Sequence, residues 1–489
     1  MSALPGARRA PLDLLRLPLV RSFVRWRYAR LALQLPLLAL AALATLDGLT
    51  GRQVAPQNVA TVAVWLHYRG LVVLALLVFG NAFCAACPLM LTRGPTRWLR
   101  RFIPQLAWPR ALRGKGLVLA LTAAYLFAYE AFDLWASPWL TAWLMLGYFG
   151  AALVTDTLFP VGTFCRHVCP LGNFNFALSH ASPTGIQARD PQVCARCTGH
   201  ECVNGRAAPS ALAPDALVLL PMLQSAAPGC ESRLFVPQMT SNQDCTLCLN
   251  CVRACPYDNV ALVVRSPLAV LQGAHLKVDA VLFGILLVFA GLLNAFAMTP
   301  PYAVLARSLA RVLGTRSEAL VLAVLLALTL GGGMALSVAL MRWSSRLSGQ
   351  VERVGAATRF WGRALLPFAF AVWAGHYSFH FLTGWASLLP VTQQALGRLG
   401  VSAGAPDWTL AALVPENLLF PLQVVLVYAG AFLGARVALR LARARGALIA
   451  ALPLLGWLLV LSLVTLWLLA QPMQMRGTFM NGGMDGGGP

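Results

Sequence analysis

Leu448–Ala470 reads LIAALPLLGWLLVLSLVTLWLLA, 23 residues without a charge. A helix needs roughly 20 mostly apolar residues to cross the hydrocarbon core of a bilayer, and only a helix or a closed barrel satisfies its own backbone polar groups there. Eight more stretches read as crossings, near 31–47, 70–90, 117–136, 139–159, 276–297, 318–341, 364–389 and 417–439. The expected fold is therefore an all-α polytopic membrane protein of about nine transmembrane helices. Before the second stretch, His67, Tyr68 and Arg69 interrupt the apolar run; they are read at the outer interface, with Thr61 to Leu66 as an interfacial approach.

Composition agrees with that reading. Of 489 residues, 58% are hydrophobic and 11% charged, and mean hydropathy is +0.68. Soluble domains carry roughly a quarter charged residues, so a soluble enzyme, a disordered chain and a secreted disulfide scaffold are excluded. The net charge of +21 sits in blocks between the apolar runs, among them Arg8 to Arg30 and Arg93 to Lys115. That is the pattern of cytoplasmic loops and not of a nucleic-acid surface. With the N-terminus in the cytoplasm, the outer basic residues are Arg52, Arg69, Arg307, Arg311, Arg316, Arg398 and Arg476, seven of 38. The tail from Gln471 is then periplasmic, across a bacterial inner membrane. The basic N-terminus leads into a full-length span without a small-residue cleavage site, so no cleavable signal peptide is read.

The expected divisions are a basic cytoplasmic N-terminus (1–30), a four-helix membrane domain (31–178), a polar cytoplasmic module (179–275), a five-helix membrane domain (276–470) and a Met- and Gly-rich outer tail (471–489). The module holds eight of the twelve cysteines. A cytoplasmic compartment keeps thiols reduced, so clustered Cys reads as metal ligation. Cys245-x2-Cys248-x2-Cys251-x3-Cys255-Pro256 has the spacing of a bacterial ferredoxin run, in which the fourth Cys ligates the other cluster. Zinc motifs rarely use this spacing. The upstream set is Cys194-x2-Cys197-x4-Cys202, with Cys230 remaining. The ligand exchange puts Cys194, Cys197, Cys202 and Cys255 on one [4Fe–4S] cluster and Cys245, Cys248, Cys251 and Cys230 on a second.

The last four cysteines form a crude repeat at span ends: Phe83-Cys84-x2-Cys87-Pro88-Leu89 and Phe164-Cys165-x3-Cys169-Pro170-Leu171. They read as a third metal or iron–sulfur centre or as redox thiols lining a quinone path, against a plain packing role for buried Cys. Titratable groups inside spans are costly and usually functional. Glu130 and Asp133, near Tyr125 and Tyr129, are candidate proton acceptors at a quinol site, or else headgroup-layer residues. His376 and His380 share a helix face, at the depth that His67 approaches. They are candidates for haem, copper or quinol contact, or for a hydrogen-bonded pair between helices. Met473, Met475, Met480 and Met484 in the tail are candidate Cu(I) ligands. Asp156, eight residues before Phe164, either tunes the Cys165 site or caps a helix.

Cys84-Ala-Ala-Cys87-Pro88 and Cys165-Arg-His-Val-Cys169-Pro170-Leu171-Gly172 at span ends, followed by the two-cluster module, resemble the membrane-bound polyferredoxins of the NapH, NosR and CcoG type. The likeness covers residues 60 to 265. It implies a membrane electron-transfer subunit that uses [4Fe–4S] clusters to exchange electrons between the quinone pool and a partner redox protein, a cytochrome or ferredoxin-like carrier. The alternative it implies is a metal (copper) reductase or an assembly factor for a respiratory metalloenzyme.

Overall fold

The computed structural model describes residues 11–207, 225–273, 276–411 and 416–473. Among them seven helices are long and apolar enough to cross a membrane: Ala29–Thr50, Val59–Phe79, Pro138–Leu158, Val278–Phe296, Glu318–Leu347, Asn417–Ala444 and Leu448–Leu469. The chain is an α-helical membrane protein. Two of the nine expected spans fall outside that set. Gly116–Ala131 is a 16-residue apolar helix, and Leu366–Thr383 carries His376, Tyr377 and His380, which dilute its apolar character.

Val278–Phe296 is the hub, with 83% of its apolar window buried, against 17% for Ala29–Thr50. Phe283, Leu286 and Val288 pack there against Phe368, Val372 and Trp373 of Leu366–Thr383. Lipid offers no hydrophobic drive for helix association, so such contacts rest on close packing. Trp373 adds a bond, its Nε1 donating to the Leu287 carbonyl at 2.8 Å.

The second span differs from expectation. It runs Val59–Phe79 and includes Thr61 to Arg69, with a π-helical stretch over Val62–Tyr68. His67 and Arg69 are buried, 5% and 8% exposed, and do not sit at an interface. Helix neighbours cover them, which the hydropathy of one strand of sequence does not reveal. Gly80, at φ +66°, ends the helix, a conformation natural to glycine. Cys84 and Cys87 therefore lie beyond the span, on and just after a separate short helix, Ala82–Ala86.

The cysteine-bearing module is built around a sheet. Strand β1 (Leu12–Asp13), β2 (Thr184–Ala188) and β5 (Val260–Val264) form it in the order β1-β5-β2, with Thr184 opposite Val264 and Ala188 opposite Val260. Strands β3 (Arg206–Ala207) and β4 (Ser225–Ala227) make a second pair. The first surprise is the N-terminal segment. Beyond the basic N-terminus read from sequence, it has a packing role: β1 completes the sheet, and Leu15 and Val24 join Ile186, Val252 and Leu262 in the module core. Arg21 and Arg25 pair with Asp258 at 3.1 and 2.8 Å; these exposed pairs contribute little, so the apolar contacts hold the segment.

Truncating Leu15, 2% exposed, to Ala should cost about 2–5 kcal/mol. Limited proteolysis of the purified protein should then cut the module faster than in wild type. An unchanged rate would return the N-terminal segment to the status of a free tail.

Candidate functional site

All twelve cysteines are free thiols, and the fold sorts them into three quartets. The outermost comprises Cys194, Cys197, Cys202 and Cys255, which line one small cavity with Val236 and Asn259. Local structure explains the convergence. Asp190 caps the short helix Pro191–Ala195 by accepting from the Gln192 amide at 2.8 Å, and β2 and β5 bring the chain before Cys194 beside the chain after Cys255. Asn259 ties the two halves: its amide donates to Cys255 Sγ at 3.3 Å and its Nδ2 to Cys194 Sγ at 3.2 Å. Hydrogen bonds of this kind favour the thiolate.

Cys230, Cys245, Cys248 and Cys251 form the second group. Burial pushes the Cys245 thiol up to about 12, against the pull of the Leu247 amide, with Cys248 and Cys230 raising it further. Burial likewise raises Cys251 well above the ordinary thiol range, and Cys248, Cys245, Cys230 and then Cys202 push the same way. Leu247 and Leu249, between these cysteines, sit at φ +50° and +58°, uncommon for residues with a side chain. Such strain collects at functional sites. Buried thiols of this sort are deprotonated when a metal binds.

Cys255 thus lies with the upstream run and Cys230 near the downstream one, and four thiols are a donor set of the kind a cubane takes. Among the described residues no three His, Cys, Asp or Glu side chains stand close enough to hold a metal ion. A cubane places each thiolate on a different iron, so its sulfurs stand farther apart than the ligands of one ion.

The third quartet, Cys84, Cys87, Cys165 and Cys169, lines a cavity of about 230 Å³ between the membrane helices and the module. Cys165 lies on a π-helical turn, Phe164–Val168; Asp156 accepts from the Phe164 amide at 3.2 Å and pairs with Arg93 at 3.6 Å. Cys169 caps Pro170–Leu178, its Sγ accepting from the Gly172 amide at 3.2 Å. Asn175 Nδ2 reaches Cys84 Sγ at 3.5 Å, and Met90 Sδ lies 3.9 Å from Cys165 Sγ. Thr246, next to Cys245, lines the same cavity, and Asn81 Nδ2 donates to the Cys245 carbonyl at 2.9 Å. The second and third quartets are therefore neighbours.

Two buried ion clusters hold this junction. Glu231, next to Cys230, pairs with Arg30 and, at 2.6 Å, with Arg93. Burial alone would raise its carboxyl, but the Arg93 and Arg30 charges hold it at about 2. At Gly162, φ is +88° and a Cβ would strike the Glu231 carbonyl, so only glycine admits this approach. Asp244, next to Cys245, accepts from Lys115 Nζ at 2.5 Å and from Arg166 Nε at 3.2 Å. Lys115 also donates to Asn173 Oδ1 at 2.7 Å and the Arg166 carbonyl at 2.9 Å.

The remaining expected site residues are dispersed. Neither Glu130 nor Asp133 lines the cavity, although Asn294, which donates to Glu130 Oε1 at 3.2 Å, does. His376 and His380 are adjacent, with ring centres 4.9 Å apart, and also stand outside the lining. Both nitrogens of His376 and Nε2 of His380 are buried without a hydrogen-bond partner. The His67 nitrogens face the Val62 carbonyl at 3.1 Å and the Trp385 carbonyl at 2.7 Å. Met473 packs against the helical core; Met475, Met480 and Met484 lie outside the described residues. Sequence reading missed Arg69, which lines the cavity among Trp65, Tyr129 and Tyr377. An arginine in the middle of an apolar run was the available signal.

No protein-family model, no curated protein and no solved structure matches the chain. The likeness to the membrane-bound polyferredoxins rests on the cysteine motifs.

Replacing Asp244 by Asn removes the charge that compensates buried Lys115. Breaking such a pair costs about 3–5 kcal/mol, so the thermal unfolding midpoint in detergent should fall by several degrees. An unaltered midpoint would mean that this cluster does not hold the junction.

Proposed function

We propose that this chain is a membrane-bound iron–sulfur electron-transfer protein of the polyferredoxin type, exchanging electrons between the quinone pool and a partner redox protein. The observation that carries the reading is the serial placing of twelve thiols. One quartet lines the intramembrane cavity, a second adjoins it through Asn81 and Thr246, and a third lies beyond, joined where the Cys230 amide donates to the Cys202 carbonyl at 3.0 Å. Non-redox transport has no use for such a chain of soft ligands.

Cys194, Cys197, Cys202 and Cys255 would hold one [4Fe–4S] cluster, and Cys230, Cys245, Cys248 and Cys251 the other. When bound, such clusters supply one-electron outer-sphere transfer, for which no general acid or nucleophile is required in the module. The chain's own contribution is electrostatic and steric. Asn259 donates to two of the sulfurs, Cys245 and Cys251 are buried from water, and Glu231 and Asp244 keep their neighbouring cysteines at a fixed place on the membrane helices. The partly exposed outer quartet suits exchange with a soluble carrier. The proposed setting is a bacterial inner membrane, with the module in the cytoplasm.

Iron and acid-labile sulfide in anaerobically purified protein test this directly. About eight irons per chain are expected for two cubanes, and about twelve if the third quartet also holds one; a colourless, iron-free protein overturns the reading. Cys248→Ser should remove one cubane signal from the EPR spectrum, and an unchanged spectrum would refute its ligand assignment.

A second reading is favoured by the sulfur pair Cys165–Met90 at 3.9 Å in the cavity. Thiolate with thioether suits Cu(I), as a copper reductase or assembly factor would require. Copper in the isolated protein, lost in Met90→Leu, would support it. For the topology, a cysteine introduced after Gln471 should be labelled from the periplasm and not from the cytoplasm. Labelling from the cytoplasm would invert the proposed orientation.

A further inference from the structure

Arg69 is the eleventh of 21 residues in Val59–Phe79, so about 15 Å of helix lies on either side of it. A cation at that depth is costly, and intramembrane charges mark binding sites and pathways. Among the described residues no carboxylate lies within 4.0 Å of it. What surrounds it is aromatic: Trp65 and Tyr129 with ring centres 4.6 Å away and Tyr377 at 5.1 Å, with Tyr129 Oη accepting a hydrogen bond at 3.2 Å. Cation–π contact and the phenols of Tyr129 and Tyr125 occupy a fork of five N–H donors only in part.

Arg69 also lines the cavity that ends at the third cysteine quartet. Its walls are mostly apolar, and besides the cysteines and a few Thr and Asn side chains the polar groups near Arg69 are phenols: five of the chain's nine tyrosines (68, 125, 129, 148 and 377) line it. Such a wall asks for an occupant that is flat, largely apolar and equipped with one or two oxygen acceptors. Water would leave most of the lining unmatched, and a phosphate would bring more charge than one guanidinium balances. At about 230 Å³ the space takes a substituted ring, and it falls below the roughly 300–1,000 Å³ of pockets for larger ligands.

We propose that Arg69 and Tyr129 hold the ring oxygen of a quinone in this cavity. The proposal deepens the electron-transfer reading above and rests on it for the identity of the ligand. Arg69 donates to the ring carbonyl, Tyr129 orients the guanidinium, and the neighbouring aromatic faces pack against the ring. The same cation in an apolar slot would also suit the carboxylate of a fatty acid, and the test separates the two.

The experiment is equilibrium binding of decyl-ubiquinone and of a short-chain naphthoquinone to the full chain in nanodiscs, with oleate as competitor. Wild type should bind at least one of the quinones, and oleate should not displace it. Arg69→Gln should weaken binding at least tenfold, and Tyr129→Phe severalfold. Leu126→Trp, which fills the cavity without touching the donors, should abolish it, and this variant carries the test if Arg69→Gln does not fold. Binding by Arg69→Gln equal to wild type overturns the assignment of Arg69 while leaving the electron-transfer reading intact. Displacement by oleate at equal or lower concentration overturns it in favour of a lipid carboxylate. Iron-loaded wild type that binds neither quinone overturns this site, whereas iron-free protein that still binds in an Arg69-dependent way overturns only the reading above.

Discussion

Two carboxylates carry the junction on which this molecule depends. Glu231 and Asp244 sit immediately beside Cys230 and Cys245, and each is buried against two cations contributed by the membrane-proximal segments. A buried ion pair gains little over an apolar contact, but removing one partner leaves an uncompensated charge. Such pairs therefore resist displacement even where their net worth is small. Here they fix the position of the second cysteine quartet relative to the helices, and through Asn81 its distance from the cavity.

That constraint gives the three quartets an order. The cavity quartet is built from span ends and π-helical turns, the second from a strained loop at Leu247 and Leu249, and the outer one from two short helices joined by Asn259. Cys169 of the cavity quartet and Cys245 and Cys251 of the second are buried, whereas all four thiols of the outer quartet are partly exposed. In the electron-transfer reading proposed above this order matters, because transfer between centres would depend on fixed spacing within the chain and on access at its outer end. The aromatic cage around Arg69 places a polar site at the opposite end of the same cavity.

Much of this was legible from sequence, and the reasons are physical. Apolar runs of about 20 residues have few alternatives to a membrane helix, and Cys-x2-Cys-x2-Cys-x3-Cys-Pro carries its own ligand logic. The expected pairing of Cys255 with the upstream run and Cys230 with the downstream one followed from that logic; in the fold Cys255 shares a small cavity with Cys194, Cys197 and Cys202. The second span was misjudged because hydropathy averages a single strand of sequence. His67, Tyr68 and Arg69 look interfacial until Leu366–Thr383 and Gly116–Ala131 are packed around them. Composition likewise did not reveal how the N-terminal segment packs: its arginines dominate its composition, whereas Leu15 and Val24 seat it in the module core.

Taken by itself, the order of residues determined the solvent each segment requires and which cysteines lie within reach of one another along the chain. Both are local properties, set by side-chain transfer energies and by spacing. Only the tertiary structure decided that β1 completes the module's sheet, that His67 is engaged by two carbonyls, and that Arg69 shares a cavity with four thiols more than ten residues away in sequence. Those are contacts between distant segments, and their energy exists only once the helices have packed.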